Sequence, residues 1–281
     1  MIAVEMAGRV GNQLFIYAFA LSPAKRLRCP ILLLFDPKDP KSFAVPAYFE
    51  CQRFHPRRNR LLLKVYGRVQ RFFPRDSWDN DTPPDALLLR LRRFVCYAGF
   101  MQAPAFFERH RELVRRELQV RPEHRHAFAV TYGDRLSRRP SIVVHVRRTD
   151  YRTFGNEALG WDLRLPWSYY DDCLARIDDR DRHQILFIGD DLDDVERHYG
   201  AMSNAAFERN APIVDFQLLQ AADVAIISNS SYAWWGAYLG APGRPVFAPR
   251  NWLGFKAGFE WPAGIATVPW TWVDVRPGDV T

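Results

Sequence analysis

His145-Val146-Arg147-Arg148-Thr149-Asp150-Tyr151 sets two neighbouring guanidinium groups directly after an apolar run. Two such charges side by side are costly unless an anion lies between or beside them, and the donor fork of an arginine matches a pair of phosphate oxygens. The competing reading is a set of ion pairs with nearby acids such as Asp150. Ser228-Asn229-Ser230-Ser231 follows a second apolar run and opens a helix. Small polar residues at a helix start leave backbone N–H groups and hydroxyls for an anion. A single residue would suffice for an ordinary cap.

Two further stretches carry weaker signals. Gly8-Arg9-Val10-Gly11-Asn12-Gln13 lies between a strand and a helix and could bring backbone amides close to a pyrophosphate. It is neither a P-loop nor a full GxGxxG, and a plain tight turn would look the same. Gly189-Asp190-Asp191 follows another apolar run. Its acids could bond a base edge or ribose, cap the next helix through Asp191, or hold a metal. The arginines already supply positive charge for phosphates, which argues against the metal.

These stretches need elements to position them. After Pro140 the chain alternates cleanly: strands at 141–146, 185–188, 224–227 and 245–248, with helices at 167–177, 192–199, 216–222 and 232–239. Strands that are apolar throughout and alternate with helices mean a parallel sheet covered on both faces. Such sheets bind ligands at the carboxyl ends of their strands. The first half reads less easily: strands at 2–6, 31–35 and 95–100, helices at 12–21 and 104–118, and a helical region within 60–73. Pro23 predicts a short or bent first helix. Pro122 and Pro140 bracket one more helix, and the domain boundary is expected there, giving domains 1–138 and 139–281. Trp234, Trp235 and Tyr238 read as core packing.

The 281 residues are 48% hydrophobic, enough for packed cores, which excludes a disordered chain. The net charge is +7, with no acid between residues 51 and 75. That stretch attracts phosphates, anionic lipid headgroups or nucleic acid, or is simply a solvated basic helix. No nucleic-acid module accompanies it. The four cysteines are scattered, which fits a reducing compartment better than a disulfide frame. No secretory n-region and no 18-residue apolar stretch is seen. A cytoplasmic protein, touching a membrane at most from that side, is expected.

Taken together, the motifs resemble bacterial α-1,2-fucosyltransferases, glycosyltransferase family 11. Gly8-x-x-Gly11-Asn12-Gln13-Leu14-Phe15-x-Tyr17-Ala18 is similar to their opening motif. The stretch His145–Tyr151 resembles their arginine motif, shared more loosely with α-1,6- and protein O-fucosyltransferases. Residues 228–239 resemble their serine-tryptophan motif. Lesser matches are Gly99-Phe100-x-Gln102 with Phe106-Phe107, Leu165-Pro166 with Tyr169-Tyr170, and Phe187-x-x-Asp190-Asp191. The resemblance implies a GT-B-like α/β architecture: two Rossmann-like domains with parallel sheets and an interdomain cleft, the second holding the donor. It implies inverting transfer of L-fucose from GDP-β-L-fucose to a hydroxyl of a galactose-containing glycan, with an α-1,2 linkage and no metal or other cofactor.

The same resemblance assigns Arg147 to the β-phosphate, Asp190 or Asp191 to the guanine, and His145 to the base or ribose, while the adjacent-arginine pattern adds Arg148 as a further phosphate contact. Ser228, Asn229, Ser230 and Ser231, with Gly8, Gly11, Asn12 and Gln13, would surround the pyrophosphate. Asp150 and Glu157 lie downstream of the arginines as candidate bases for the acceptor proton. An ion pair to Arg147 or Arg148 is the competing role for Asp150, and the departing phosphate could itself take the proton. The expected partners are a GDP-sugar donor and a glycan acceptor, free or lipid-linked, with peripheral contact to an anionic membrane and no nucleic acid. The alternatives are a transferase for GDP-L-galactose, GDP-colitose or another GDP-6-deoxy sugar, a non-catalytic glycan- or lipid-binding protein on the same scaffold, and an RNA-associated basic protein.

Overall fold

A computed structural model describes residues 1–276. Contacts divide the chain into two units, Met1–Arg121 with Pro262–Thr267, and Pro122–Trp261 with the segment from Val268 onward.

The first unit runs β1 (Ile2–Glu5), α1 (Val10–Leu27), β2 (Ile31–Leu34), α2 (Val45–Tyr48), α3 (Pro56–Val69), β3 (Arg75–Ser77), α4 (Pro84–Arg90), β4 (Cys96–Ala98) and α5 (Arg111–Glu117). Its four strands pair in parallel in the order β2-β1-β4-β3. Pro23 neither ends nor shortens α1, contrary to expectation. Nearly every side chain from Gly11 to Ala24 is buried, and that packing offsets the one hydrogen bond that proline removes. The expected helix at 104–118 is instead two short 3-10 turns followed by α5, because Phe107 leaves the helical region (φ −135°).

The second unit runs α6 (Pro122–Arg138), β5 (Ser141–Val146), β6 (Gly155–Asn156), β7 (Gly160–Trp161), α7 (Trp167–Ala175), β8 (Gln184–Gly189), α8 (Leu192–Tyr199), β9 (Ala205–Phe207), α9 (Pro212–Ala221), β10 (Val224–Ile226), α10 (Ser231–Tyr238), β11 (Val246–Pro249) and β12 (Thr271–Val273). All six residues of β5 are buried, as a strand covered on both faces requires. The boundary expected at 138/139 falls at Arg121/Pro122 instead, because α6 joins the second unit. Tyr132 donates to Glu208 (2.7 Å), and Arg135 pairs with Glu208 (2.6 Å) and donates to Gln184 (2.8 Å). Trp234, Trp235 and Tyr238 are buried, as expected of core residues.

The six-stranded sheet is ordered β12-β11-β10-β5-β8-β9, all parallel. The chain builds from β5 through β8 to β9 on one side, then crosses back to lay β10, β11 and β12 on the other. That is the strand order of a dinucleotide-binding sheet, and the reversal falls between β5 and β10.

Candidate active site at the strand-order reversal

The three stretches expected to carry chemistry in the second unit leave the carboxyl ends of β5, β10 and β8, and those strands are neighbours. The turn after β8 can form because Gly189 has φ +148° and no side chain. A Cβ there would meet the Val146 carbonyl oxygen at 2.0 Å. Two hydrogen bonds tie the β5 and β10 ends together across the reversal. His145 Nδ1 and Ser228 Oγ are 2.9 Å apart, and the Tyr151 hydroxyl donates to the Asn229 carbonyl at 3.0 Å.

Arg147 sits at the centre of this arrangement. Its Nε and Nη2 donate to the two carboxylate oxygens of Asp150 at 2.8 and 2.7 Å, and Nε lies 3.3 Å from Asp190 Oδ2. The guanidinium also lies 5.4 Å from the centre of the Tyr151 ring. Burial alone would depress its pKa, but the Asp150 hydrogen bonds and nearby charges outweigh it and push the value up, so the group stays charged. One edge of the fork is therefore fixed by Asp150, while the Nη1 edge makes no hydrogen bond among the described residues. The side chain is 19% exposed.

Arg148 has a different fate. It is 2% exposed, donates to Asp194 at 2.9 Å and to the Leu165 carbonyl at 3.2 Å, and lies 4.2 Å from the centre of the Trp167 ring. Its expected role as a phosphate ligand is corrected: the guanidinium is consumed inside the protein.

His145, expected beside a base or ribose, is buried with its Nδ1 against Ser228 Oγ, and burial first and Arg147 second push its pKa down to about 4. Two other expectations change for reasons like those at Arg148. Asp190 was a candidate guanine reader. It accepts instead from the Arg148 and Thr149 backbone N–H groups (2.8 and 3.4 Å) and from the Thr149 hydroxyl (2.6 Å), which shapes the arginine loop. Asp191 takes the capping role, accepting from Asp194 N at the start of α8.

The Ser228–Ser231 turn also faces inward more than expected. Ser228, Asn229 and Ser230 are buried, and Asn229 donates to the Leu163 carbonyl (2.9 Å) while its buried Oδ1 has no partner. Ser230 is the N-cap of α10 but makes no side-chain capping bond. What this end presents to an anion is the positive end of the α10 dipole. Glu157 stands exposed in the turn between β6 and β7, without an ion pair among the described residues, whereas Asp150 is engaged with Arg147.

The glycine stretch belongs to the first unit and is braced there. Gly8 has φ +72°, and a Cβ would meet Asn12 Nδ2 at 2.5 Å. Gln13, expected near a pyrophosphate, is fully buried: its Nε2 donates to the Gly8 and Lys41 carbonyls (2.9 and 2.7 Å) and its Oε1 accepts from Ala44 N (2.8 Å). Asn12 Oδ1 accepts from Gln102 at 2.7 Å, and Gly11 lies in the first turn of α1. Gln13 is thus a brace, not a ligand contact.

The sequence did not point to Asp194, which completes the Arg148 cage, because no local spacing links it to β5. Tyr151 lay within the arginine motif but carried no separate signal.

The glycosyl transferase family 11 pattern matches residues 92–261, more than half of the chain. The chain belongs to glycosyl transferase family 11. It is 24% identical over 258 residues to an α-1,2-colitosyltransferase of Escherichia coli, covering 85% of this chain and 87% of that one. It is 23% identical over 288 residues to the O-antigen biosynthesis glycosyltransferase WbnK of Escherichia coli (88% and 93% covered). Among solved structures it is similar to NodZ α-1,6-fucosyltransferase co-crystallised with GDP, with a TM-score of 0.51, 16% identity, and 85% and 92% coverage. At that identity the likeness speaks for the fold, and the family 11 chain is GT-B-like, with two Rossmann-like units.

Proposed function

We propose that this family 11 enzyme transfers L-fucose from GDP-β-L-fucose, with inversion, to a hydroxyl of a galactose-containing glycan, free or lipid-linked, forming an α-1,2 linkage. The observation that carries this reading is Arg147, held on one edge by Asp150 beside the strand-order reversal, with its other edge unused. In the reaction the acceptor oxygen forms a bond to the sugar carbon as the bond to the β-phosphate oxygen breaks. Negative charge grows on the departing GDP. A pre-positioned guanidinium and the first turn of α10 stabilise that charge more in the transition state than before it.

Arg147 supplies the positive charge at the phosphate, so this reading needs no divalent metal or other cofactor. Asp150 acts here as a positioning residue, since a carboxylate held by both arginine nitrogens is a poor proton acceptor. The acceptor proton passes to the departing phosphate, or to Glu157 if its turn moves when substrate binds. The four free cysteines support a cytoplasmic reading of this reaction, since thiols persist in a reducing compartment.

The name of the colitosyltransferase relative favours a second reading in which the same phosphate site carries GDP-colitose. Product analysis with GDP-fucose, GDP-colitose and GDP-L-galactose against galactose-ended glycans, with and without EDTA, tests both. An α-1,2-fucosylated product formed equally in EDTA is the expected result. A product only from GDP-colitose would select the second reading, and no stabilisation by GDP would remove both.

A further inference from the structure

We propose that α3 and the 3-10 turn after it (Gln70–Phe72) form a docking face for an anionic phospholipid bilayer. Asn59 fixes how the helix is rolled. Its side chain bonds both the N–H and the C=O of Leu33 on the edge strand β2, each at 3.0 Å. Leu62, Leu63, Tyr66 and Val69 then pack toward Ala3, Leu32, Phe73 and Cys96. At 100° per residue, Leu61 lies about 160° around the helix from Asn59, and Val65 is one turn further on. The outward face is accordingly apolar where water should be: Leu61 is 62% exposed, Val65 43%, and Phe72, in the turn beyond, 65%.

Cations surround this apolar strip. Arg57, Lys64 and Arg68 share its side of the helix, Arg60 lies next to Lys64, and Arg71 stands 4.7 Å from the Phe72 ring. None of these five makes an ion pair among the described residues. Arg60, Lys64 and Arg68 repeat at i, i+4, i+8, a spacing that repels on a helix surface. Arg57 and Arg58 occupy the first turn, next to the positive end of the helix dipole, and no acid lies there to offset them. The arrangement is unfavourable in water and becomes favourable against a negatively charged plane. There the apolar residues enter the boundary between headgroups and acyl chains, while the long basic side chains reach lipid phosphates. Two aliphatic side chains at the centre of the patch would add nothing to binding of a nucleic-acid backbone. No helix among the described residues is long and apolar enough to cross a membrane, so the contact would be peripheral.

Co-sedimentation of the full chain with vesicles tests the proposal. Phosphatidylcholine vesicles containing phosphatidylglycerol should bind it at least about tenfold more tightly than phosphatidylcholine alone, and added salt should weaken binding. The variant Leu61→Gln/Val65→Gln/Phe72→Gln keeps every charge and should lower that binding about tenfold, with an unchanged melting temperature and unchanged stabilisation by GDP. The variant Arg57→Gln/Lys64→Gln/Arg68→Gln should flatten the salt dependence. Undiminished vesicle binding by the apolar variant would overturn the proposal. So would an RNA oligonucleotide that binds as tightly as the vesicles and is indifferent to the same three substitutions.

Discussion

Two loops, one in each unit, leave the carboxyl end of the first strand of a parallel sheet, and each is tied across the point where its strand order reverses. After β1 the tie is Asn12 to Gln102, amide to amide, and the loop is stitched down by three uncharged hydrogen bonds from Gln13. After β5 the tie is His145 to Ser228, and the loop is organised by guanidinium–carboxylate pairs: Arg147 with Asp150 and Asp190, Arg148 with Asp194. The same topology is thus finished by dipoles in one unit and by charge in the other. Dipoles fix a backbone shape. A charged, partly exposed guanidinium fixes a shape and still presents its Nη1 edge to an anion.

Arg148 is the position where a single substitution should have the largest effect on the fold. Arg148→Ala removes a buried cation from Asp194 and from the Trp167 face, and should destabilise the protein by about 3–5 kcal/mol in urea unfolding. Turnover per folded molecule should stay near normal. If stability held and turnover collapsed, the two arginines would have exchanged roles. Arg147→Ala should do the opposite, lowering the transfer rate on the order of 100- to 1,000-fold, with little change in melting temperature. Asp150→Asn should cost less than Arg147→Ala, roughly 100-fold at most, since it misplaces the guanidinium without removing it. Its pH–rate profile should keep its shape, and loss of an acidic limb would restore Asp150 as the base.

In the first unit, Gln13→Ala strands the Lys41 carbonyl and the Ala44 N–H, and should cost about 1–3 kcal/mol. Calorimetry would show whether the melting transition moves. The smallest effect at neutral pH belongs to His145→Asn. The folded state holds the imidazole neutral down to about pH 4, whereas the unfolded chain binds its proton near 6.5. The unfolded state therefore carries the extra proton between those values, and stability is lost as pH falls from 6.5 toward 4. The Asn variant should lose less over that window in melts at pH 7 and pH 4.5. An identical pH dependence in both proteins would show that His145 does not titrate as its burial requires.

Most of the second unit was legible because a strand buried on both faces must be apolar at every position, and Ser141–Val146 and Leu192–Tyr199 stand where their patterns put them. Short edge strands such as β9 and β12 leave no mark in the sequence, since three residues carry no period. In the first unit Pro23 misled, because a local breaker yields to the burial of a whole helix. The arginine pair was visible as a pair. What could not be read was that one arginine is consumed inside and the other left partly exposed.

The amino-acid order alone determined that a parallel sheet would end in a cluster of charged side chains, because continuous apolar runs followed by Arg147-Arg148 and Asp190-Asp191 admit few other arrangements. Only the folded chain decided the division of labour. Consecutive side chains leaving a strand point to opposite sides, so which guanidinium meets Trp167 and Asp194, and which meets Asp150, depends on elements distant in sequence that pack against each side.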